Sequence, residues 1–158
     1  MSKNSNSSPN TGQSSPFPFD IYPNEWIGNS DPNIILIVSG FTTTSGTYTG
    51  SDITIKDSTG AQIAIFSFNA VGGNNAITTL TIPMISTPST NFPWTVTGTI
   101  TASLGTAQFL QPVQVPISLK PDGTVACYST TILSNDGGSD NDWNDLVLNF
   151  QLFNDSTD

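Results

Sequence analysis

Residues 146–153 read Leu-Val-Leu-Asn-Phe-Gln-Leu-Phe, and this stretch decides the fold class. Leu146, Leu148, Phe150 and Leu152 stand at alternate positions, which is the period of a strand with one buried face. Short runs rich in Ile, Val, Thr and Phe recur upstream between turn residues, and none has a helical period. The sequence therefore predicts an all-β protein, an antiparallel β-sandwich of Greek-key or jelly-roll type with about eight or nine strands.

The predicted strands follow from these runs and from two turn signals. Asp57–Gly60 (DSTG) and Lys120–Gly123 (KPDG) each indicate a hairpin, because Pro, Asp and Gly favour tight turns. We expect strands at Asn33–Ser39, Asp52–Lys56, Ala61–Phe68, Ala76–Pro83, Trp94–Ala102, Gln108–Val115, Thr124–Leu133 and Asp145–Phe153.

The chain divides into three parts by composition. Residues 1–16 are rich in Ser and Asn and have no aliphatic residue after Met1, which predicts a flexible tail. Residues 17–32 are rich in aromatic residues and proline, and we expect an arm that packs on the domain or on another subunit. Residues 33–158 are expected to form the sandwich domain.

The charge composition excludes several classes of function. The net charge is −9, with three lysines, no arginine and no histidine, which argues against binding nucleic acid or anionic membranes. Without histidine there is no His-based catalytic triad or zinc site, and one cysteine, Cys127, allows no intrachain disulfide. A bound metal should therefore be a hard cation held by oxygen ligands.

The acidic residues are concentrated in one loop. Asp136, Asp140, Asp142 and Asp145 lie within ten residues of DGGSDNDWND, directly before the strand at 146–153. Such close carboxylates repel each other by roughly 1 kcal/mol per pair even in water, and a divalent cation reverses that cost. An ordinary solvated turn is the alternative interpretation. The loop does not fit an EF-hand, because the sixth and twelfth positions from Asp140 are not Gly and Glu.

This loop resembles the calcium loop of the bacterial fucose- and mannose-binding lectins of the fucose-binding lectin II family. Asp140-Asn-Asp-Trp-Asn-Asp145 is similar to the family's D-N-D-aromatic-N-D run near the C-terminus. A weaker similarity relates Thr44-Ser45-Gly46-Thr47 to the family's sugar-specificity loop. The resemblance implies a nine-stranded sandwich that holds two adjacent Ca²⁺ ions, which the vicinal hydroxyls of a sugar coordinate directly.

The resemblance also implies roles for individual residues. The first ion would be held by Asp136, Asp140, Asp142 and Asp145, and the second by Asp142, Asn144 and Asp145. The sugar would contact Thr44, Ser45, Gly46, Asp140, Asp142 and Asp145. In the family, a partner subunit's C-terminal carboxylate completes the second site. Here the chain runs on to Asp158, so either the Asp155 side chain replaces that carboxylate or the closure of the second site is lost. Thr43 stands where the family has an Asn that contributes an oxygen to the site.

The sequence thus predicts a calcium-dependent carbohydrate-binding protein, not an enzyme, with a fucose- or mannose-type ligand. Because the strand surfaces are nearly uncharged, we expect a homo-oligomer, a dimer or larger. The alternative is a self-assembling inclusion or surface protein with a structural Ca²⁺ ion or none. The N-terminus has no Sec-type signal peptide, which predicts synthesis in the cytoplasm and leaves open export or surface association by another route.

Overall fold

A computed structural model describes residues 8–10, 16–22, 33–72, 77–81, 85–87, 91–123, 125–137 and 140–155. These residues form strands and turns in two antiparallel sheets, which confirms the predicted β-sandwich. The strands are β1 Ser8–Asn10, β2 Phe19–Ile21, β3 Asn33–Thr42, β4 Thr47–Lys56, β5 Gln62–Val71, β6 Thr78–Thr81, β7 Ile85–Thr87, β8 Trp94–Ala102, β9 Ala107–Phe109, β10 Val113–Leu119, β11 Val125–Asn135 and β12 Leu146–Asp155.

The larger sheet follows the order β1-β9-β11-β12-β3-β6, with β10 also paired to β11 and β7 to β3. The smaller sheet follows the order β2-β8-β4-β5. The alternation at 146–153 has the expected result: Leu146, Leu148, Phe150 and Leu152 are buried between the sheets. Both hairpins form as predicted, since β4 pairs β5 and β10 pairs β11 in antiparallel register.

The strand predicted at Gln108–Val115 is wrong as a single element. The structure divides it into β9 and β10, and Pro112 stands directly before β10. β9 pairs with the end of β11 at Ser134 and Asn135, whereas β10 pairs along its first half. A proline has no amide hydrogen for a strand ladder, so the pairing with β11 is interrupted at this point and resumes in β10 with a shifted register.

The aromatic segment contributes to the core of the same chain. Phe17, Phe19 and Ile21 are buried, and β2 pairs with β8 at the edge of the smaller sheet. The Phe19 ring meets the Phe150 ring edge-on, with centroids 5.3 Å apart, and so joins the two sheets. Residues 23–32 and most of residues 1–16 lie outside the described residues, so the boundaries of the tail and the arm stay predictions.

No helix in the described part of the chain has the length and apolar content that a membrane span requires.

Candidate functional site

The acidic loop connects β11 to β12 at one end of the larger sheet. Its base is closed by a hydrogen bond of 3.1 Å from the Asp145 N–H to the Ser134 carbonyl oxygen. The Asn135 side-chain amide donates to the Asp142 carbonyl oxygen over 2.6 Å, which holds the middle of the loop against the strand. Gly137 has φ +89°, and a Cβ there would lie 2.7 Å from the Thr106 carbonyl oxygen, so a side chain at this position would be strained and crowded.

Asp145 is the buried member of the acidic cluster, with 6% of its surface exposed. Its Oδ2 accepts a hydrogen bond of 2.7 Å from the Asp136 N–H. The pKa of its carboxyl group is raised to about 6, chiefly by burial and also by the nearby charges of Asp136, Asp142 and Asp140, while the bond from the Asp136 N–H acts in the opposite direction. The charges of the acidic loop therefore act together on one buried carboxylate.

The turn between β3 and β4 lies directly against this loop. The Thr43 hydroxyl donates to the Asn144 carbonyl oxygen over 2.9 Å, and its N–H donates to the Asp145 carbonyl oxygen over 3.1 Å. The buried Thr44 hydroxyl donates to Asp136 Oδ2 over 2.8 Å. The structure thus brings together the two segments that the sequence placed at one site, although about ninety residues separate them along the chain.

Close backbone packing fixes this turn in place. The Gly72 N–H, just after β5, donates to the Gly46 carbonyl oxygen over 3.0 Å. A Cβ on Gly72 would stand 1.7 Å from the Thr44 carbonyl oxygen, which no conformational adjustment of a side chain could relieve. Ser45 is exposed between the buried Thr44 and Gly46, so it is the residue of this turn that reaches solvent.

A buried tyrosine lies beneath the site. The Tyr48 hydroxyl is 2.9 Å from Ser134 Oγ, and the ring is fully buried. Burial raises the pKa of Tyr48, and the charges of Asp145, Asp136 and Asp142 raise it further, so the phenol stays neutral. Of the described lysines, Lys56 ends β4 and Lys120 precedes the turn before β11, so neither stands on these loops.

The remaining predicted ligands are more scattered. Asp140, Asp142 and Asn144 have exposed side chains, and the described residues contain no group of three or more acidic, cysteine or histidine side chains close enough to hold a metal ion as they stand. Asp155 pairs with Asn33 at the far end of β12, about 30 Å from the loop at about 3.4 Å per residue. Within one chain Asp155 cannot reach the site, so it can act there only from another subunit.

The structure adds a third segment that the sequence did not indicate, the turn Ser103–Thr106 between β8 and β9. Ser103 Oγ accepts the Thr47 N–H over 2.9 Å. A Cβ on Gly46 would meet Leu104 Cγ at 2.6 Å, so Leu104 covers Gly46 while 60% of its own surface stays exposed. The sequence SLGT carries no charge or ligand pattern that would mark it, and only the packing of the strands places it beside the site.

No family model and no curated protein matches this chain. Twelve chains of solved structures are similar to it, and three of them are described here. The lectin CV2L of Chromobacterium violaceum, in complex with α-methyl-fucoside, has 16% identity and a TM-score of 0.48, covering 85% of this chain and 93% of the lectin. The C-terminal domain of the lectin BC2L-C of Burkholderia cenocepacia has 20% identity and a TM-score of 0.49, covering 91% and 97%. A high-affinity mannose-binding lectin of Ralstonia solanacearum has 16% identity and a TM-score of 0.45, covering 75% and 88%.

Proposed function

We propose that this chain is a calcium-dependent carbohydrate-binding protein without catalytic activity. The observation that carries the proposal is the buried Asp145 carboxylate, whose pKa is raised to about 6 by burial and by three neighbouring acids. An ionised carboxylate is costly in such surroundings unless a cation neutralises it. The oxygen-only donors of the loop suit Ca²⁺, which accepts six to eight oxygen ligands in a flexible geometry.

The proposed ligands are those that the sequence resemblance indicates. Asp136, Asp140, Asp142 and Asp145 would hold one ion, and Asp142, Asn144 and Asp145 a second. Asp140 and Asp142 have exposed side chains, so they can turn toward a cation without disturbing the core. Bound Ca²⁺ would supply open coordination positions that two neighbouring sugar hydroxyls can fill in place of water.

The sugar would lie against the Thr43–Gly46 turn, which contacts the acidic loop. Thr44 and Gly46 are buried and fixed by hydrogen bonds, and Ser45 is exposed beside them. The turn is therefore a rigid edge from which Ser45 can donate or accept a hydrogen bond. We propose a fucose- or mannose-type ligand, because Thr44-Ser45-Gly46-Thr47 is similar in sequence to the sugar-specificity loop of the fucose-binding lectin II family.

Thermal unfolding tests the proposal directly. Melting curves are measured in EDTA, in Ca²⁺, and in Ca²⁺ with α-methyl-fucoside or α-methyl-mannoside. We expect Ca²⁺ to raise the melting temperature and a sugar to raise it again, since each ligand binds only the folded protein. Asp142→Asn with Asp145→Asn should abolish both increases. Asp20→Asn, which removes an exposed acid that accepts a bond from Thr95, is the matched control and should retain them.

The outcomes separate the alternatives. If Ca²⁺ does not change the melting temperature, the metal site is refuted. If Ca²⁺ raises it and no sugar in a broad glycan panel raises it further, the ion has a structural role. The self-assembling protein is then the better interpretation.

A further inference from the structure

A hydrogen bond between two buried hydroxyl groups joins the two sheets beneath the acidic loop. Tyr48 lies on β4 of the smaller sheet and Ser134 on β11 of the larger sheet, and both residues are fully buried. The Tyr48 hydroxyl stands 2.9 Å from Ser134 Oγ, and either group can donate. The acidic loop starts just after Ser134, so this hydroxyl pair, Tyr48 and Ser134, fixes the strand end from which the loop leaves.

Ser134 also holds the other end of the loop. Its carbonyl oxygen accepts the Asp145 N–H over 3.1 Å. The Asp145 carbonyl oxygen in turn accepts the Thr42 hydroxyl over 2.5 Å, which ties the same residue to the end of β3. Because the Asp145 backbone is bound on both sides, a displacement of Ser134 would also displace the buried Asp145 carboxylate.

These contacts close a ring that returns to β4. Asp145 Oδ2 accepts the Asp136 N–H over 2.7 Å, and Asp136 Oδ2 accepts the Thr44 hydroxyl over 2.8 Å. From Thr44 the chain enters β4 and reaches Tyr48 four residues later. Two acids of the loop are thus held between two fixed points, which are the hydroxyl pair and the turn between β3 and β4.

Stability alone does not explain a polar pair at this depth. A buried hydrogen bond contributes little net stability, because both of its groups give up bonds to water. Phenylalanine and alanine would fill the same space without burying a polar group. What the hydroxyl pair adds is geometry, since its bond forms only over a narrow range of distances and angles between the two strands.

The acidic loop needs such a constraint before a cation arrives. Its four carboxylates repel one another, and in the absence of a cation that repulsion favours a more open loop. A loop that has to close on its ligand binds more weakly than one already in place, because ordering it opposes binding. Burial, together with the charges of the loop, raises the pKa of Tyr48, so the phenol stays neutral and keeps its hydrogen bond.

We infer that Tyr48 and Ser134 are positioning residues, whose hydrogen bond holds Asp136 and Asp145 in their observed places when no cation is bound. The two hydroxyls act through the backbone of β11 and not as ligands. The consequence for calcium rests on the proposed function: a loop that is already in place should bind Ca²⁺ more tightly. The positioning itself requires no calcium.

Amide hydrogen exchange, followed by NMR in EDTA, tests the positioning role. Tyr48→Phe removes one oxygen and keeps the ring. The reference is the Leu148 N–H on β12, a central strand between β11 and β3, which reports global unfolding. Relative to that reference, the Asp136 and Asp145 N–H groups should exchange at least about fivefold faster in the variant, because each donates within the ring. A loss of overall stability alone would accelerate Leu148 and lower this ratio.

Matched variants isolate the bond. Ser134→Ala should accelerate the same two amides, and the double variant should exceed neither single variant, because the two hydroxyls make one bond. Tyr22→Phe removes a partly exposed phenol after β2, and Ser129→Ala removes a buried hydroxyl elsewhere on β11 that donates to Asn149 Oδ1. Both controls should leave the exchange ratio at its wild-type value.

Calorimetric titration of the same proteins measures the effect on calcium. Tyr48→Phe should raise the dissociation constant for Ca²⁺ at least about fivefold, and the two controls should leave it unchanged. A variant that keeps the wild-type affinity would overturn this effect.

The exchange experiment decides the positioning role separately from calcium binding. An exchange ratio that Tyr48→Phe leaves unchanged would overturn that role, and so would effects of the two single variants that multiply in the double variant. If the wild-type chain binds no Ca²⁺, the calcium site is refuted while the exchange ratios still test the hydroxyl pair.

Discussion

Asp145→Asn is expected to stabilise the calcium-free protein and to abolish the effect of calcium. Asp145 is 6% exposed, and burial and the charges of Asp136, Asp142 and Asp140 raise its pKa from 3.8 to about 6. Its ionised form is therefore unfavourable in the folded protein. Asparagine removes the charge and still offers one oxygen to the Asp136 N–H, so the local hydrogen bond can persist.

The magnitude follows from the pKa shift. An increase of about 2 in the pKa of Asp145 lowers the free energy of unfolding by about 3 kcal/mol at neutral pH, at about 1.4 kcal/mol for each pKa unit. Solvent near the exposed Asp140 and Asp142 screens part of this interaction, so we expect a gain of about 1–2 kcal/mol. For a chain of this size that is an increase of about 3–6 °C in Tm.

The pH dependence of Tm independently tests whether Asp145→Asn stabilises the calcium-free protein. The pKa of Asp145 is higher in the folded protein than in the unfolded chain. The loss of stability caused by its ionised carboxylate is therefore fully present above pH 6. This loss is relieved as the pH falls toward 4, because the folded carboxyl group takes up a proton. The Tm difference between Asp145→Asn and wild type in EDTA should be large at pH 7.5 and less than half as large at pH 4.5.

Scanning calorimetry in EDTA and in Ca²⁺ measures each of these quantities. Asp20→Asn, an exposed acid on β2, is the control for loss of one negative charge and should change Tm by less than 2 °C, as surface substitutions do. A calcium-free Asp145→Asn protein that melts below wild type at pH 7.5 would refute the reasoning. So would a Tm difference that is equal at the two pH values.

Three further predictions concern the packing around the site. Thr44→Val removes the 2.8 Å hydrogen bond that the buried Thr44 hydroxyl donates to Asp136 Oδ2. It should lower the free energy of unfolding, measured by urea denaturation, by about 1–2 kcal/mol. The control Ser45→Ala should lower it by less than about 0.5 kcal/mol. Gly72→Ala would bring a methyl group 1.7 Å from the Thr44 carbonyl oxygen. It should lower the calcium affinity, measured by calorimetric titration, at least tenfold. The control Gly60→Ala, where a Cβ meets nothing within 4 Å, should leave that affinity unchanged. Leu104→Asp places a charge beside Gly46. It should lower the affinity for methyl-fucoside at least fivefold without changing the affinity for calcium. An equal loss of the two affinities would show that Leu104 acts on the metal site instead.

Much of the fold can be predicted from the sequence because its strands are locally encoded. Alternation at 146–153 marks the buried face of β12, and the KPDG turn marks a hairpin. Both signals depend on residues that are adjacent in the chain. The division between β9 and β10 was missed, because both strands pair with β11 and the change of register between them follows from that long-range pairing.

The candidate site, like the fold, was predictable only in its local features. The sequence by itself determined which residues carry the negative charge, and that the chain has no histidine or arginine to neutralise it. Only the tertiary structure decided that Thr44 contacts Asp136, that Leu104 covers Gly46 and that Asp155 stands at the opposite end of β12. Local sequence specifies the chemistry of each segment. The distances between segments follow from strand pairing and sheet packing, which many residues far apart in the chain determine together.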